Sequence, residues 1–230
     1  MAKTTIKNDK ALKNQNGLQT IVVREFEPAD KPHVQRIFYE GLMEMIPDTA
    51  FRGLRHHLES LLLYAAMTGL LPAIVLCGRY FYSRRVIHGY LEHAMNGDMG
   101  DIEGFYMKSS DSRLWVAVLE GKVVGVVAAV GQQKSGGAVE LKRMSVDRSS
   151  RQRGVGAALG RKVLEFAVTH RYSFVVLGTT AYTQAPHQLY QRLGFRCVVV
   201  TNGYVTPGAN TSFLEQIFYR VRHHHYSLHV

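Results

Sequence analysis

The residues best suited to chemistry lie in one turn between an apolar strand and a helix. This turn, residues 146–157, reads Val-Asp-Arg-Ser-Ser-Arg-Gln-Arg-Gly-Val-Gly-Ala, with Arg151 and Arg153 ahead of Gly154 and Gly156. Glycines let the backbone approach an anion closely, and the N–H groups of a helix's first turn lack intrahelical acceptors. With the helix dipole and the two guanidinium groups, they favour a diphosphate. The alternative is a basic helix cap.

Two other phosphate-binding motifs are excluded by the spacing of this turn. A dinucleotide-binding fold needs G-x-G-x-x-G, and a P-loop needs Gly-Lys followed by Ser or Thr. The net charge of +10 agrees with an anionic ligand without selecting one. Because no long uninterrupted run of Lys or Arg occurs, we do not expect nucleic acid as a partner. Cys77 and Cys197 form no C-x-x-C spacing, so we expect neither a disulfide nor a metal.

Strand and helix patterns around the turn predict a mixed α/β sheet with helices packed on it. The 230 residues, 46% apolar and 20% charged, suit one globular domain. The predicted strands are 21–26, 114–119, 123–130, 139–146, 174–177, 197–201 and 213–221. The predicted helices are 34–45, 86–94, 154–169 and 185–193.

The two ends of the chain are predicted to lie outside this domain, which covers residues 20–222. Residues 1–19 are polar and lysine-containing, without the apolar region of a signal peptide, and we interpret them as a flexible leader. Residues 223–230 begin His-His-His, and we interpret them as a surface tail that binds no metal. A metal-binding tract is the alternative for these histidines.

An uncharged segment, residues 60–78, lies within a predicted insertion, residues 57–85. At about 1.5 Å per residue it is only just long enough to cross a bilayer core of about 30 Å. Both flanks carry arginines, whereas a single span normally has a charge asymmetry, and Gly69 and Pro72 weaken the middle of a helix. Aromatic residues at its flanks favour contact with a membrane. A buried core helix is the alternative.

A second motif follows the turn and indicates a family. Residues 189–195 read Leu-Tyr-Gln-Arg-Leu-Gly-Phe, a predicted helix that carries Tyr190 and ends in Gly-Phe. Arg-x-x-Gly-x-Gly after a strand, followed by this motif, resembles the GNAT superfamily of N-acetyltransferases. The resemblance implies a central mixed sheet of about seven strands flanked by helices, with acetyl-CoA as cosubstrate and no metal. It also implies cofactor contacts from Met144, Ser145, Val146, Arg151, Gln152, Arg153, Gly154, Val155, Gly156, Ala157, Thr179 and Thr180.

Direct transfer of the acetyl group to an amine, which the resemblance implies, needs a base and a proton donor. Glu140 stands where some members of the superfamily hold their base; a strand-edge glutamate paired with Lys142 or Arg143 is the alternative. Tyr190 is expected near the sulfur, where it protonates the departing thiolate. A tyrosine that only packs on the sheet is the alternative for this residue.

Within the superfamily, residues 140–147, 160–167 and 176–180 resemble the members that acetylate L-aspartate. An acceptor with two carboxylates requires guanidinium groups that bind them in bidentate fashion. Arg143 is the first candidate, and Arg52 and Arg55 follow; solvated or lipid-facing charges are the alternative. Strand alternation puts Arg143 and Glu140 on opposite faces of the sheet unless the strand bulges.

The resemblance therefore implies an enzyme that makes N-acetyl-L-aspartate and CoA, and we expect it at the cytoplasmic face of the endoplasmic reticulum or another intracellular membrane. Since the first strand must join the same sheet as the later ones, the insertion is expected to be re-entrant or interfacial. One alternative is a sister enzyme acting on cysteine S-conjugates or protein lysines. Another is a non-catalytic GNAT-fold protein that binds membrane or nucleic acid. The oligomeric state is left open.

Overall fold

A computed structural model of the chain describes residues 12–13, 20–52, 70–132, 137–180, 182–202, 204–207, 212–219 and 221–230. The strands are β1 (Leu12–Lys13), β2 (Thr20–Glu25), β3 (Ser112–Leu119), β4 (Lys122–Gln132), β5 (Ala138–Val146), β6 (Phe174–Thr179), β7 (Arg196–Asn202) and β8 (Arg222–His229). The helices are α1 (Lys31–Met43), α2 (Met45–Phe51), α3 (Leu70–Asn96), α4 (Val155–Thr169), α5 (Gln184–Arg192) and α6 (Phe213–Phe218).

All of these strands form one mixed sheet, in the order β1-β2-β3-β4-β5-β6-β8-β7. Neighbouring strands are antiparallel except β5 and β6, which are parallel. A parallel pair needs a crossover connection, and α4 lies in the connection between these two strands. In the part of the chain that the structure describes, six of the seven predicted strands lie in this sheet as β2 to β7, and β1 and β8 were not predicted. The predicted mixed sheet with flanking helices is therefore confirmed.

Helices cover both faces of the sheet, and each face has its own apolar core. On one face, α4 packs against the sheet through Leu159 and Phe166, the latter in ring contact with Trp115. On the other face, α1 and α3 contribute Ile37 and Leu91. Strands that are covered on both faces read as nearly continuous apolar runs, as β3 and β4 do.

The C-terminal region differs from its prediction. Residues 213–221 do not form a strand, because Ser212 accepts a hydrogen bond from the backbone N–H of Glu215 and caps α6. Residues 223–230 are not a surface tail, because β8 inserts between β6 and β7. The strand β8 was not predicted because its sequence is polar, and within it only Tyr226 is buried. Its hydrogen-bonded neighbours on both sides, β6 and β7, hold it in the sheet.

The structure also differs from three predictions for the first half of the chain. Leu12 and Lys13, within the predicted leader, pair with Ile21 and Thr20 of β2. The helix predicted over 34–45 ends at Met43 as α1, and α2 follows from Met45 with Pro47 in its first turn, where proline is tolerated. The predicted helix over 86–94 is part of the longer α3.

Residues 57–69 of the predicted membrane insertion lie outside the described residues, and its remainder, residues 70–85, belongs to α3. None of the helices in the described ranges combines the length and the apolar character that crossing a membrane requires.

Candidate active site

The site begins where β5 and β6 stop pairing with each other. Their parallel register runs only from Ala138 opposite Phe174 to Glu140 opposite Val176. Beyond Glu140, β5 continues to Val146 and stays paired with β4 on its other side. The backbone N–H and C=O groups on the β6 side of residues 141–146 are therefore available to a ligand that enters between the strands.

The turn after β5 brings a helix N-terminus to the end of this opening. Asp147 accepts a hydrogen bond from the Ser149 N–H and starts a short 3-10 turn, Arg148–Ser150. Gly154 then adopts a left-handed conformation, with φ of 87°, and α4 begins at Val155. Because Gly154 has no side chain to cap the helix, the first-turn N–H groups of α4 can donate to a bound anion.

Arg151 lies at this turn and is held by two contacts. Its Nε donates to the Val146 carbonyl at 3.1 Å, and its Nη1 lies 2.6 Å from the Glu44 carboxylate, at the junction of α1 and α2. A second ion pair, Arg36 with Asp147 at 3.2 Å, also joins α1 to the turn. The turn is therefore tied to the helices on the opposite face of the sheet.

A β-bulge decides where Arg143 points. Val126 pairs with Ser145 and Ala128 pairs with Lys142, so Arg143 and Met144 together oppose one residue of β4. Arg143 has a φ of 54°, which is rare for a side-chain-bearing residue. Strand alternation alone would put Arg143 and Glu140 on opposite faces of the sheet. The bulge interrupts this alternation, so the two residues lie on the same face.

The Arg143 guanidinium is fixed by an acidic partner and two rings. Its Nε and Nη2 donate to the two oxygens of Asp98 at 2.8 and 2.7 Å, and its Nη1 donates to the Tyr90 hydroxyl. The guanidinium carbon also lies 5.1 Å from the centre of the Phe38 ring. Burial by itself lowers the pKa of Arg143, but the hydrogen bonds to Asp98 and the electrostatic influence of Tyr90, Asp98 and Tyr106 together raise it by more, so the pKa lies above its usual range. Arg143 is therefore a permanent, oriented cation.

Asp98 was not identified from the sequence. Burial raises its pKa, but hydrogen bonds from Arg143 and Tyr106 outweigh burial, so the pKa is lowered and the carboxylate stays ionised. The only sequence signal was its place in a short acidic stretch after α3, far from β5 along the chain.

Comparison with known proteins agrees with this geometry. The model of the Acetyltransferase (GNAT) family matches residues 84–195. N-acetylaspartate synthetase of Homo sapiens is 51% identical over 225 residues, which cover 92% of this chain and 74% of that protein. The chain belongs to the GNAT acetyltransferase family.

More distant relatives support the same family and fold. N-acetyltransferase 8 of Mus musculus is 33% identical over 76% of this chain and 83% of that protein. The structure of a GCN5-related N-acetyltransferase from Kribbella flavida superposes with a TM-score of 0.53 at 18% identity, covering 91% of this chain and 98% of that one. This last likeness concerns the fold alone.

As a GNAT acetyltransferase the chain uses acetyl-CoA, and its residues fit this cosubstrate. The opening beside residues 141–146 suits an extended pantetheine arm, and the α4 N-terminus with Arg151 suits the diphosphate. A Cβ on Gly156 would lie 3.0 Å from the Leu189 side chain, so this glycine lets α4 approach α5 closely. Among the described residues, no group of three or more His, Cys, Asp or Glu is arranged to hold a metal.

The other residues predicted to contact the cofactor are spread along the same opening. Ser145 is directed to α1, where its hydroxyl donates to the Ile37 carbonyl at 3.0 Å. The others lie on β5, at the end of β6 or in the turn and first residues of α4: Met144, Val146, Gln152, Arg153, Val155, Ala157, Thr179 and Thr180.

Tyr190 of α5 lies in the apolar core on the face of the sheet that α4 covers. Its ring contacts Phe195 and Tyr226, with centroid separations of 6.1 and 5.7 Å. Burial, with a smaller contribution from Tyr226, raises the pKa of Tyr190 to about 12. The hydroxyl therefore keeps its proton at neutral pH and is a hydrogen-bond donor, not a base.

Glu140 is half-buried and has polar neighbours on its own and the adjacent strand. The Gln132 amide donates to its carboxylate at 2.9 Å, and the Lys142 ammonium lies 3.4 Å away. The alternative pairing with Lys142 is thus present. Arg52 instead pairs with Asp48 at 3.1 Å, and its side chain is 63% exposed. Arg55 lies outside the described residues.

Proposed function

We propose that this enzyme transfers the acetyl group of acetyl-CoA to the amino group of L-aspartate, giving N-acetyl-L-aspartate and CoA. The observation that carries the proposal is the 51% identity, over 92% of this chain, to a protein named N-acetylaspartate synthetase. The partly buried, ionised Arg143 supports an anionic acceptor, because it lies on the face of the sheet next to Glu140.

Arg143 supports carboxylate binding through the part of its guanidinium that Asp98 and Tyr90 do not use. A guanidinium has five N–H donors, and the contacts with these two residues use three of them. The remaining two can bind one carboxylate of the acceptor. Arg52 and Arg55 remain our candidates for further contacts with the acceptor.

The transfer then proceeds by direct attack in a ternary complex. The α-amino group of the acceptor is largely protonated near neutral pH, and Glu140 takes this proton directly or through a water. Backbone N–H groups beside the opening of β5 stabilise the negative charge that develops on the thioester oxygen. The amine then attacks the thioester carbon, and as the C–S bond breaks Tyr190 protonates the departing thiolate. The second proton that the nitrogen loses replaces the one that Tyr190 gives.

We also propose that residues 57–85 bind the enzyme to the cytoplasmic face of the endoplasmic reticulum or another intracellular membrane. The first part of α3 supports this, because Ile74, Tyr80 and Phe81 expose 56%, 42% and 58% of their surface and Phe51 is exposed beside them. Apolar and aromatic side chains with arginines nearby suit the interface of an anionic bilayer. Flotation with phosphatidylserine-containing vesicles tests this; equal recovery of wild type and a Tyr80→Ser, Phe81→Ser variant would contradict it.

Steady-state assays with competing acceptors test the acceptor. We expect L-aspartate to have the highest kcat/KM among L-aspartate, an S-substituted cysteine and a lysine peptide. A preference for either of the other two would replace L-aspartate as the acceptor. Absence of CoA binding in calorimetry, together with salt-dependent binding to nucleic acid, would instead indicate a non-catalytic protein.

A further inference from the structure

The connection between β7 and β8 contributes a tyrosine to the acceptor side. Tyr204 follows β7, and its ring lies parallel to the imidazole of His223 on β8, with centroids 4.1 Å apart and planes inclined by 10°. Thr206 in the same connection lies 3.2 Å from the Tyr219 hydroxyl, measured between oxygens. The segment that carries Tyr204 is therefore anchored at two points.

His223 owes its position to a glycine on β6. A Cβ on Gly178 would lie 2.4 Å from the imidazole, so only glycine allows the ring to rest on the β6 backbone. Nδ1 of His223 also lies 3.0 Å from Nε2 of His225, whose residue is paired with Gly178. Gly178 lies beyond Val176, the last residue of β6 that pairs with β5. Tyr204, stacked on His223, is thus held above the opening between these strands.

Three polar groups of the proposed acceptor side, Tyr90, Glu140 and Arg143, lie near enough to Tyr204 to influence its pKa. Burial, Tyr90 and Glu140 raise its pKa, and Arg143 lowers it by less, so the hydroxyl stays protonated. The same two residues, Glu140 and Arg143, are the proposed base and the proposed carboxylate ligand. Tyr204 therefore offers a neutral donor on the same side of the sheet as the proposed base and the proposed carboxylate ligand.

We infer that Tyr204 is a substrate-contacting, specificity-determining residue whose hydroxyl donates a hydrogen bond to an acceptor carboxylate, with His223 as its positioning residue. The inference rests on the proposed function. Arg143 has donors left for one carboxylate, and a dicarboxylate acceptor brings a second that needs its own donor once desolvated. A protonated phenol next to Arg143 supplies this donor without adding another charge.

The test is the Tyr204→Phe variant, which removes the hydroxyl and keeps the ring stack. We expect the KM for L-aspartate to rise about tenfold or more, since hydrogen bonds to charged groups are the stronger kind, while the Kd for CoA in calorimetry stays unchanged. Tyr39→Phe, which removes an exposed hydroxyl from α1, is the matched control and should change neither value.

The positioning role has its own pair of variants. His223→Phe keeps an aromatic ring under Tyr204 and should retain a KM within about threefold of wild type, whereas His223→Ala should raise the KM as Tyr204→Phe does. Thermal unfolding of each variant separates this effect from loss of the fold. An unchanged KM in Tyr204→Phe, with wild type acetylating L-aspartate, would overturn the inference and leave the proposed function standing. Failure of wild type itself to acetylate L-aspartate would overturn both.

Discussion

The cofactor side and the acceptor side of this enzyme are built in different ways. The cofactor side is one continuous piece of chain, residues 141–157, and it offers mainly backbone groups and a helix N-terminus. The proposed acceptor side consists of single side chains from distant elements: Arg143 on β5, Tyr90 on α3, Asp98 after α3 and Tyr204 after β7. A site made of backbone tolerates many sequences, whereas a site made of side chains depends on each residue and its supports.

The two sides nevertheless share α1 as a support, because Phe38 of α1 lies against the Arg143 guanidinium. Glu44, between α1 and α2, pairs with Arg151 of the cofactor turn, and Arg36 of α1 pairs with Asp147. These ion pairs are partly exposed, so each contributes about 1 kcal/mol or less to stability. The comparison therefore predicts that a substitution on one side will alter the kinetics of that side and leave the affinity of the other nearly unchanged.

The largest expected effect is at Arg143. Arg143→Gln removes the cation and leaves Asp98 partly buried without its partner, which costs a few kcal/mol of stability. We expect kcat/KM for L-aspartate to fall about 100-fold or more, with CoA affinity within about threefold of wild type. Arg143→Lys keeps the charge but lacks the planar guanidinium, so its kcat/KM should lie between those of wild type and Arg143→Gln. A loss of CoA affinity as large as the loss of kcat/KM would break the division into two sides.

The second largest effect is expected at Tyr190, the proposed proton donor in the transfer step between the two sides. Tyr190→Phe keeps the buried ring contacts and removes the hydroxyl, so the fold should be unaffected. We expect kcat to fall about tenfold to 100-fold, with the KM for both substrates little changed, because the hydrogen bond forms only as the thiolate departs. An unchanged kcat would mean that Tyr190 only packs on the sheet.

A smaller effect is expected at Arg151 because backbone groups carry most of the diphosphate site. Arg151→Ala should weaken CoA binding about tenfold in calorimetry and leave the KM for L-aspartate unchanged. Arg161→Ala, at an exposed position of α4, is the matched control for the loss of one positive charge. If both variants lose the same affinity, long-range charge rather than the turn governs CoA binding.

The smallest expected effect is a pH dependence of stability from the acceptor side. Burial, followed by the neighbouring His225 and His224, lowers the pKa of His223 to about 4, from an ordinary value of about 6.5. As the pH falls, His223 is protonated in the unfolded chain before it is protonated in the folded one. The free energy of unfolding is therefore highest above pH 6.5 and decreases between pH 6.5 and 4. The carboxylates with lowered pKa, such as Asp98, lose their contribution only below their ordinary pKa of about 3.9.

Urea unfolding at pH 7.5, 6 and 5 measures this dependence. We expect the free energy of unfolding of wild type to fall over this range, and that of His223→Phe to fall less, because the variant has one fewer histidine to protonate. An equal slope for the two proteins would show that His223 is solvated, and the stack with Tyr204 would then be loose.

Sequence reasoning predicted most of the fold, and its errors have physical causes. The hairpin of β3 and β4, the strand before the turn and the helix after it were predicted within a few residues, since their patterns are local. β8 was missed because His and Arg are not typical strand residues and the pairing comes from β6 and β7. The predicted roles of Glu140 and Tyr190 remain proposals, to be decided by the kinetics described above.

By itself, the sequence determined the turn that we propose for the diphosphate, because two glycines, two arginines and a helix start act through backbone conformation and charge within a dozen residues. Tertiary structure alone decided the acceptor side. A bulge set the face of the sheet on which Arg143 lies, a loop far along the chain supplied Asp98, and the insertion of β8 placed His223 beneath Tyr204. The physical reason is that side-chain contacts between distant residues depend on register and packing, which no local pattern contains.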